Sequence, residues 1–416
     1  MVACRFHHFL KYGSNSLWTV SGHLAGLWRL RDLLQSEVLM NRLLSSEMSG
    51  NPLKFSHWSE STGSTTERST TERLSTSAMP AVSASDMFLE KDKNSSSDYD
   101  EALFLLENNL PEQRLDIPLP YSQYLKLEES WSKFKSENNI SEERRYPSLS
   151  YNSLMLIATV VTTQSALHDY TGAVFREMIA SSVNEYLSIH EPRAIHRIKN
   201  YGSTTMKELG PYGKTTKEPD QSFGYWRPGL RPRLQVAIEC GVSENYDALC
   251  RAKDLWIQHL GAKVVILICL KEVPHYRSPR TANESIEDPV AEVEKMEQYV
   301  AEAMAKNLEQ GNYGPIEYRS HTWLGKLDEV FLEVWRADGQ QPVRKWLIRH
   351  GHPNPLPRIT GLKISDFFPE NEWAACKFPE SNVRFLGGRY LLEDIVGAMQ
   401  LTARSRFVDF LGSVRA

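Results

Sequence analysis

The run "AKVVILICL", Ala262 to Leu270, constrains this chain more than any other stretch. It is almost wholly apolar and shows no polar alternation. Such a strand has to be covered on both faces, as in a sheet with helices on either side. A shorter strand, 234–239, precedes it, and residues 244–260 between them carry apolar side chains at helical spacing. Strand, helix and strand in so short a span predict a right-handed crossover joining parallel strands. The fold class that follows is α/β, a mixed central sheet flanked by helices.

Other segments supply the rest of the expected layers. "PSLSYNSLMLIATVV", Pro147 to Val161, predicts two strands with a turn at Asn152-Ser153. Residues 162–190 predict one long helix with an apolar stripe of Leu167, Tyr170, Val174, Ile179, Val183 and Leu187. Residues 191–233 hold nine Lys/Arg against four Asp/Glu and are rich in Gly and Pro, which predicts loops and short strands. Within them Trp226, Arg227, Arg231 and Arg233 interleave aromatic and basic groups, which suits a nucleic-acid groove and equally a surface loop. Thr281–Gln310 holds eight acids against two bases and predicts a solvated acidic helix inserted at 285–310. A strand over "LDEVFLEVWR" runs into a turn at Asp338-Gly339, and the Pro-rich tail ends in a helix near 391–411.

The N-terminal third reads differently. Residues 56–98 include STTER in tandem and are dominated by Ser and Thr, too poor in apolar groups to offset ordering entropy. The expected organisation is an N-terminal helical segment at 1–55, a disordered linker at 56–98, a helical lead-in at 99–146, an α/β core at 147–348 and a C-terminal extension at 349–416.

With 416 residues, 41% of them hydrophobic, the chain can bury a sizeable core. A net charge of −4 excludes a globally basic nucleic-acid coat, though not a local patch. The five cysteines are widely spaced with no CxxC pair, which fits a reducing compartment and gives no zinc or disulfide signal. No apolar run approaches the length of a membrane span. The expected location is intracellular, in cytoplasm or nucleus. Mitochondrial import is the lesser alternative, suggested by Arg5, Lys11, Arg29 and Arg31 with no acid before Asp32. Dinucleotide, P-loop, nucleophile-elbow and HExxH zinc motifs are absent.

The chemistry-bearing pattern is "PD" at Pro219-Asp220 followed 19 residues later by Glu239 at the end of "LQVAIE". Phosphodiester hydrolysis needs charge neutralisation and an oriented water, and a hard divalent cation supplies both. Magnesium is held by one or two carboxylates and keeps several waters. Two carboxylates on a rigid strand frame answer that need; the plainer alternative is a turn aspartate capping its own backbone and a strand-end glutamate reaching water. Lys253 stands in the middle of the apolar stripe of 244–260, where an ammonium must reach the edge or find a carboxylate.

Pro219-Asp220, the spacer and "VAIECGVSE" together resemble the PD-(D/E)XK nuclease superfamily, in particular its Uma2-like endonuclease branch and a set of fungal proteins with the same core. The resemblance covers about 147–336. It implies a restriction-endonuclease-like fold and hydrolysis of nucleic acid with Mg2+ or Mn2+. Asp220 and Glu239 would be catalytic acids and metal ligands, with the Cys240 carbonyl as a further ligand. The usual lysine position, two residues after Glu239, is Gly241 here. In the Uma2-like branch the lysine sits on the next helix about 14 residues after the glutamate, which is where Lys253 lies. His168 and Asp169 match the segment that opens the first helix, and Glu177 on that helix is a further accessory acid. The departure at Gly241 leaves a second expectation open: a catalytically silent relative that binds nucleic acid, or a protein partner through the acidic helix or the linker. The sequence does not specify an oligomeric state.

Overall fold

The computed structural model describes residues 95–416 apart from 142–145, 211, 230, 243–245, 280–285, 355–360, 378, 385–387 and 416. The expected N-terminal helical segment and all but the end of the 56–98 linker lie outside the described residues. Residues 95–98 already belong to helix α1 (Ser95–Asn108).

The 99–146 lead-in is more than helical. Strand β1 (Arg114–Pro118) separates α1 from α2 (Tyr121–Glu137). Then come β2 (Ser148–Asn152), β3 (Ile157–Val161) and the long α3 (Ala166–His190), capped by Ser165, whose hydroxyl accepts the His168 N–H. After the one-turn α4 (Pro192–Ile195), the basic segment forms β4 (Ile198–Asn200), β5 (Met206–Gly210), β6 (Gly213–Lys217) and β7 (Gln221–Tyr225). The crossover is β8 (Arg233–Val242), α5 (Tyr246–Gln258) and β9 (Val264–Val273). Helix α6 (Pro289–Glu309) leads to β10 (Ile316–Tyr318), β11 (His321–Leu324), β12 (Lys326–Arg336), β13 (Val343–Arg349) and β14 (His352–Pro353). The short α7 (Glu370–Ala374) and the long α8 (Gly388–Arg415) close the chain.

Two main sheets result. The larger runs β14-β13-β12-β9-β8-β7-β4. Its pairings are antiparallel except β8 with β9, which are parallel as a strand–helix–strand crossover requires. Both faces of β9 are buried, as its composition demands. Val264, Ile266, Ile268 and Leu270 enter the main core with α3 and α8, whereas Val265, Leu267 and Cys269 face the α5 side with Trp256. The smaller, antiparallel sheet runs β1-β3-β2-β6-β5. Ile117, Tyr151, Ala158 and Val160 turn one of its faces to α1 and α2.

Three expectations change. The acidic helix is not a free-standing insertion: Met296, Val300 and Met304 recur every fourth residue and are buried in the main core, which outweighs the acids on its other faces. The C-terminal extension is not peripheral either, since Leu391, Ile395, Met399 and Phe407 belong to that same core. The turn between β2 and β3 spans 153–156 rather than Asn152-Ser153 alone. No described helix is long and apolar enough to cross a membrane.

A buried ionic knot ties α8 to β9 and to the link between α1 and β1. Arg406 of α8 donates to both carboxylate oxygens of Glu272 (2.8 and 3.1 Å) and of Glu112 (2.9 and 2.7 Å). Glu272 also accepts the Gly325 N–H at 2.8 Å. A Cβ at Gly325 would stand 2.2 Å from the Pro274 carbonyl oxygen and 2.9 Å from the Val273 carbonyl carbon. Both are backbone atoms and cannot step aside. Gly325→Ala is therefore expected to lower stability by about 1–3 kcal/mol or more, read as a lower urea midpoint at unchanged slope. An unchanged midpoint would show that the β11–β12 junction relaxes freely.

Candidate functional site

A polar cavity of about 110 Å3 lies between the two sheets. Alternation along β8 sets its floor. Val236, Ile238 and Cys240 enter the main core, so Ala237 and Glu239 point to the α5 side. Glu239 is thus a carboxylate drawn under a helix, 6% exposed. Two donors meet it there. The Trp256 indole N–H of α5 donates to Oε1, and Lys217 Nζ, at the end of β6, lies 3.1 Å from Oε2. Burial raises the Glu239 pKa above the usual carboxylate range. The Lys217 charge opposes that rise, and the nearby Asp220 charge adds to it.

Asp220 stands immediately before β7. Its Oδ2 accepts the Cys240 N–H at 2.7 Å and lies 3.3 Å from His168 Nε2. His168, in the first turn of α3, is buried and places Nδ1 2.9 Å from Asp169. Burial alone would lower the imidazole pKa, but the Asp220 and Asp169 carboxylates outweigh it and push it up to about 10. Its place between two acids favours the imidazolium form.

The smaller sheet supplies the opposite wall. Arg114 and Asp116 of β1, Ser148 and Ser150 of β2, and Thr159 of β3 line the cavity. Their neighbours along each strand face α1 and α2 instead. Asp116, Thr159 and Ser150 are cross-strand partners, and the Thr159 hydroxyl donates to Asp116 at 2.8 Å. Arg251 of α5 reaches across to Asp116 at 3.0 Å. Arg251 thus ties the wall to α5, beside the Lys217–Glu239 ion pair that joins the two sheets directly.

The fold brings together Asp220, Glu239, His168 and Asp169, and Cys240 through its amide. It does not bring Lys253 to them. Lys253 is 8% exposed, but its ammonium lies 2.5 Å from Asp254 and 4.1 Å from the Trp335 ring centroid on β12. Ala252 and Leu255 line the cavity; one residue on a helix turns about 100°, which carries Lys253 from the β8 side toward β12. The lysine beside Glu239 is Lys217, from a strand before Asp220. Glu177 is half-exposed, 3.5 Å from Arg176, and is not among the cavity residues. Arg227 and Arg231 also stand elsewhere, paired with Glu372 (3.0 Å) and Glu208 (3.9 Å).

Sequence reasoning missed Lys217, Trp256, Arg251 and Asp116. Trp256 carries a usable signal: a buried indole needs an acceptor for its N–H, and Glu239 is the acid at the end of the adjoining strand. Nothing in "GKTTK" marks Lys217, whose partner arrives only through the packing of two sheets.

Both nitrogens of His168 are engaged by carboxylates, so it is not free to ligate a metal. The other candidate donors, the oxygens of Asp220 and Glu239, suit a hard cation that keeps its waters, which would share them with Lys217, Trp256, His168 and the Cys240 N–H. The raised Glu239 pKa marks a buried acid that a cation would stabilise. The residues fit a magnesium or manganese ion on that donor chemistry. Among the described residues, the group of three whose ligand atoms all lie within 4.8 Å of one another is a different one: Asp328, Glu329 and His350. Glu329 there is 3.6 Å from Lys271. No family model matches the chain, and no curated protein matches it at a significant level.

Proposed function

We propose that this protein is a restriction-endonuclease-like phosphodiesterase acting on nucleic acid. Asp220 and Glu239 are the residues that would hold Mg2+ or Mn2+, and Lys217 takes the role expected of Lys253. One observation carries the reading: an acid before β7, an acid on β8 and a lysine paired with the second of them, Lys217, line a single polar cavity. The chain order supports it, with α3, the antiparallel strands β4, β7 and β8, then α5 and the parallel strand β9.

A bound divalent cation would supply neutralisation of the phosphate and a more acidic water. The protein's own groups do the rest. Lys217 places an ammonium where negative charge gathers on a phosphoryl oxygen. The Trp256 N–H fixes the plane of the Glu239 carboxylate, and the Cys240 N–H with His168 fixes Asp220. Preorganised donors of this kind need no rearrangement during reaction.

A second reading draws on a specific observation. Both acids already meet cations, Lys217 and His168. That arrangement suits a silent relative that binds nucleic acid or protein without cutting.

Calorimetric titration of Mn2+ into the wild type and Glu239→Gln separates the two. Gln keeps an acceptor for the indole, whereas Ala would empty a buried position. The nuclease reading expects micromolar to millimolar binding that drops at least about tenfold in the variant, a loss of ~1.4 kcal/mol, with cleavage abolished. Cleavage by Glu239→Gln at the wild-type rate sinks it. Absence of binding in both proteins, with nucleic acid still bound, favours the silent reading.

A further inference from the structure

We infer that the site takes a single strand or a frayed strand end of nucleic acid and excludes an intact duplex. This rests on the phosphodiesterase reading and names the substrate class of that same site.

The carboxylates do not lie on an open surface. The polar face of the smaller sheet stands over them, and Asp116 on that face is within 3.0 Å of Arg251 on α5. The cavity is partly open to solvent, and its volume of about 110 Å3 is well below the ~300–1,000 Å3 of ordinary ligand pockets. It admits a phosphate and its sugar edge, not a base pair. A duplex presents its phosphates on a stiff, wide cylinder. To bring one of them to Glu239 it would have to displace β1, β2 and β3, which are anchored by the apolar core under α1 and α2. A flexible strand can thread one phosphate at a time.

The chemistry of the wall agrees. In an ordinary half-buried sheet the polar face meets solvent. Here the polar face meets the site, and it offers Arg114, Ser148, Ser150 and Thr159. Hydroxyls and a guanidinium serve phosphate and sugar oxygens, the contacts that position a strand without reading its sequence. Of the aromatics that line the cavity, Tyr151 is buried and Tyr146 half-buried, so affinity should come chiefly from the backbone and fall with salt.

The test uses the full chain and fluorescence anisotropy with a fluorescein-labelled oligothymidylate and a blunt hairpin duplex of equal strand length. Calcium replaces magnesium so that binding is read apart from cleavage. The expected result is at least about tenfold tighter binding of the single strand. Arg114→Ala should weaken single-strand binding several-fold with an unchanged urea midpoint, because Arg251 and Thr159 still hold Asp116. Equal affinity for duplex and single strand overturns the inference. So does undiminished single-strand binding by Arg114→Ala, which would place the strand elsewhere on the molecule. Preferential single-strand binding that depends on Arg114, with no cleavage in magnesium or manganese, upholds the slot and overturns only the hydrolytic reading.

Discussion

Arg406→Met is expected to lower the unfolding free energy by about 3–5 kcal/mol, the usual consequence of removing one member of a buried ion pair. The side chain of Arg406 is 3% exposed and that of Glu272 is 0% exposed. The guanidinium also donates to the Trp323 carbonyl at 3.0 Å and lies 4.1 Å from the Tyr276 ring centroid. Methionine fills the volume but deprives the Glu272 carboxylate of its countercharge. The double variant Arg406→Met/Glu272→Gln should recover much of the loss, since the stranded charge is gone. Glu112→Ala should be milder, about 1 kcal/mol, because Glu112 is 27% exposed and water can replace it. Urea unfolding of the three variants measures this. Arg406→Met within about 1 kcal/mol of wild type would show that the Glu272 carboxylate finds another partner.

Lys217→Met should act at the site in a related way, with a pH signature. Lys217 is the cation beside the buried Glu239. Its loss should destabilise the protein by about 3 kcal/mol at neutral pH. The folded-state pKa of Glu239 is raised above its ordinary value of 4.5, with burial as the largest cause. A carboxyl raised on folding contributes stability that is fully present below its unfolded pKa and is lost as pH rises through the folded pKa. Removing the lysine lifts that pKa further. The deficit of Lys217→Met relative to wild type should therefore shrink as pH falls toward 4.5 and grow toward neutrality. Urea midpoints of the two proteins across pH 4–7 check this; parallel curves would mean that Glu239 is paired independently of Lys217. The double variant Lys217→Met/Glu239→Gln should lie closer to wild type than Lys217→Met.

The main sheet was legible where periodicity was strong. The apolar run of β9, the helical stripe of α3 and the β8–α5–β9 order all follow from patterns that one side chain cannot mask. The smaller sheet was not. "MKELG" and "GKTTK" carry no apolar alternation, and they are strands because β6 pairs with β5 and meets β2. Strand β1 was hidden in a stretch read as helical. In α6 the count of acids drew attention from Met296, Val300 and Met304, although their spacing was visible. The acids of the site were legible as a strand-end pattern. Its lysine was not, because local spacing singled out Lys253 while the contact that matters joins residues from two different sheets.

A seam inside the smaller sheet has a mechanical consequence. Strands β2 and β6 share one ladder position, Tyr151 opposite Thr216. The rest of the seam includes hydroxyl contacts, Ser153 with Thr215 at 2.6 Å and Tyr124 with Thr216 at 3.0 Å. Hydroxyls exchange partners with water at small enthalpic loss, which a continuous amide ladder does not. Compliance is therefore concentrated along one line, with the Arg251–Asp116 pair as the latch on the far side. Any tilt of the wall about that line is bounded by the apolar core under α1 and α2. Within that bound, the fine width of the cavity is adjusted by replaceable bonds rather than by the rigid sheet beneath it.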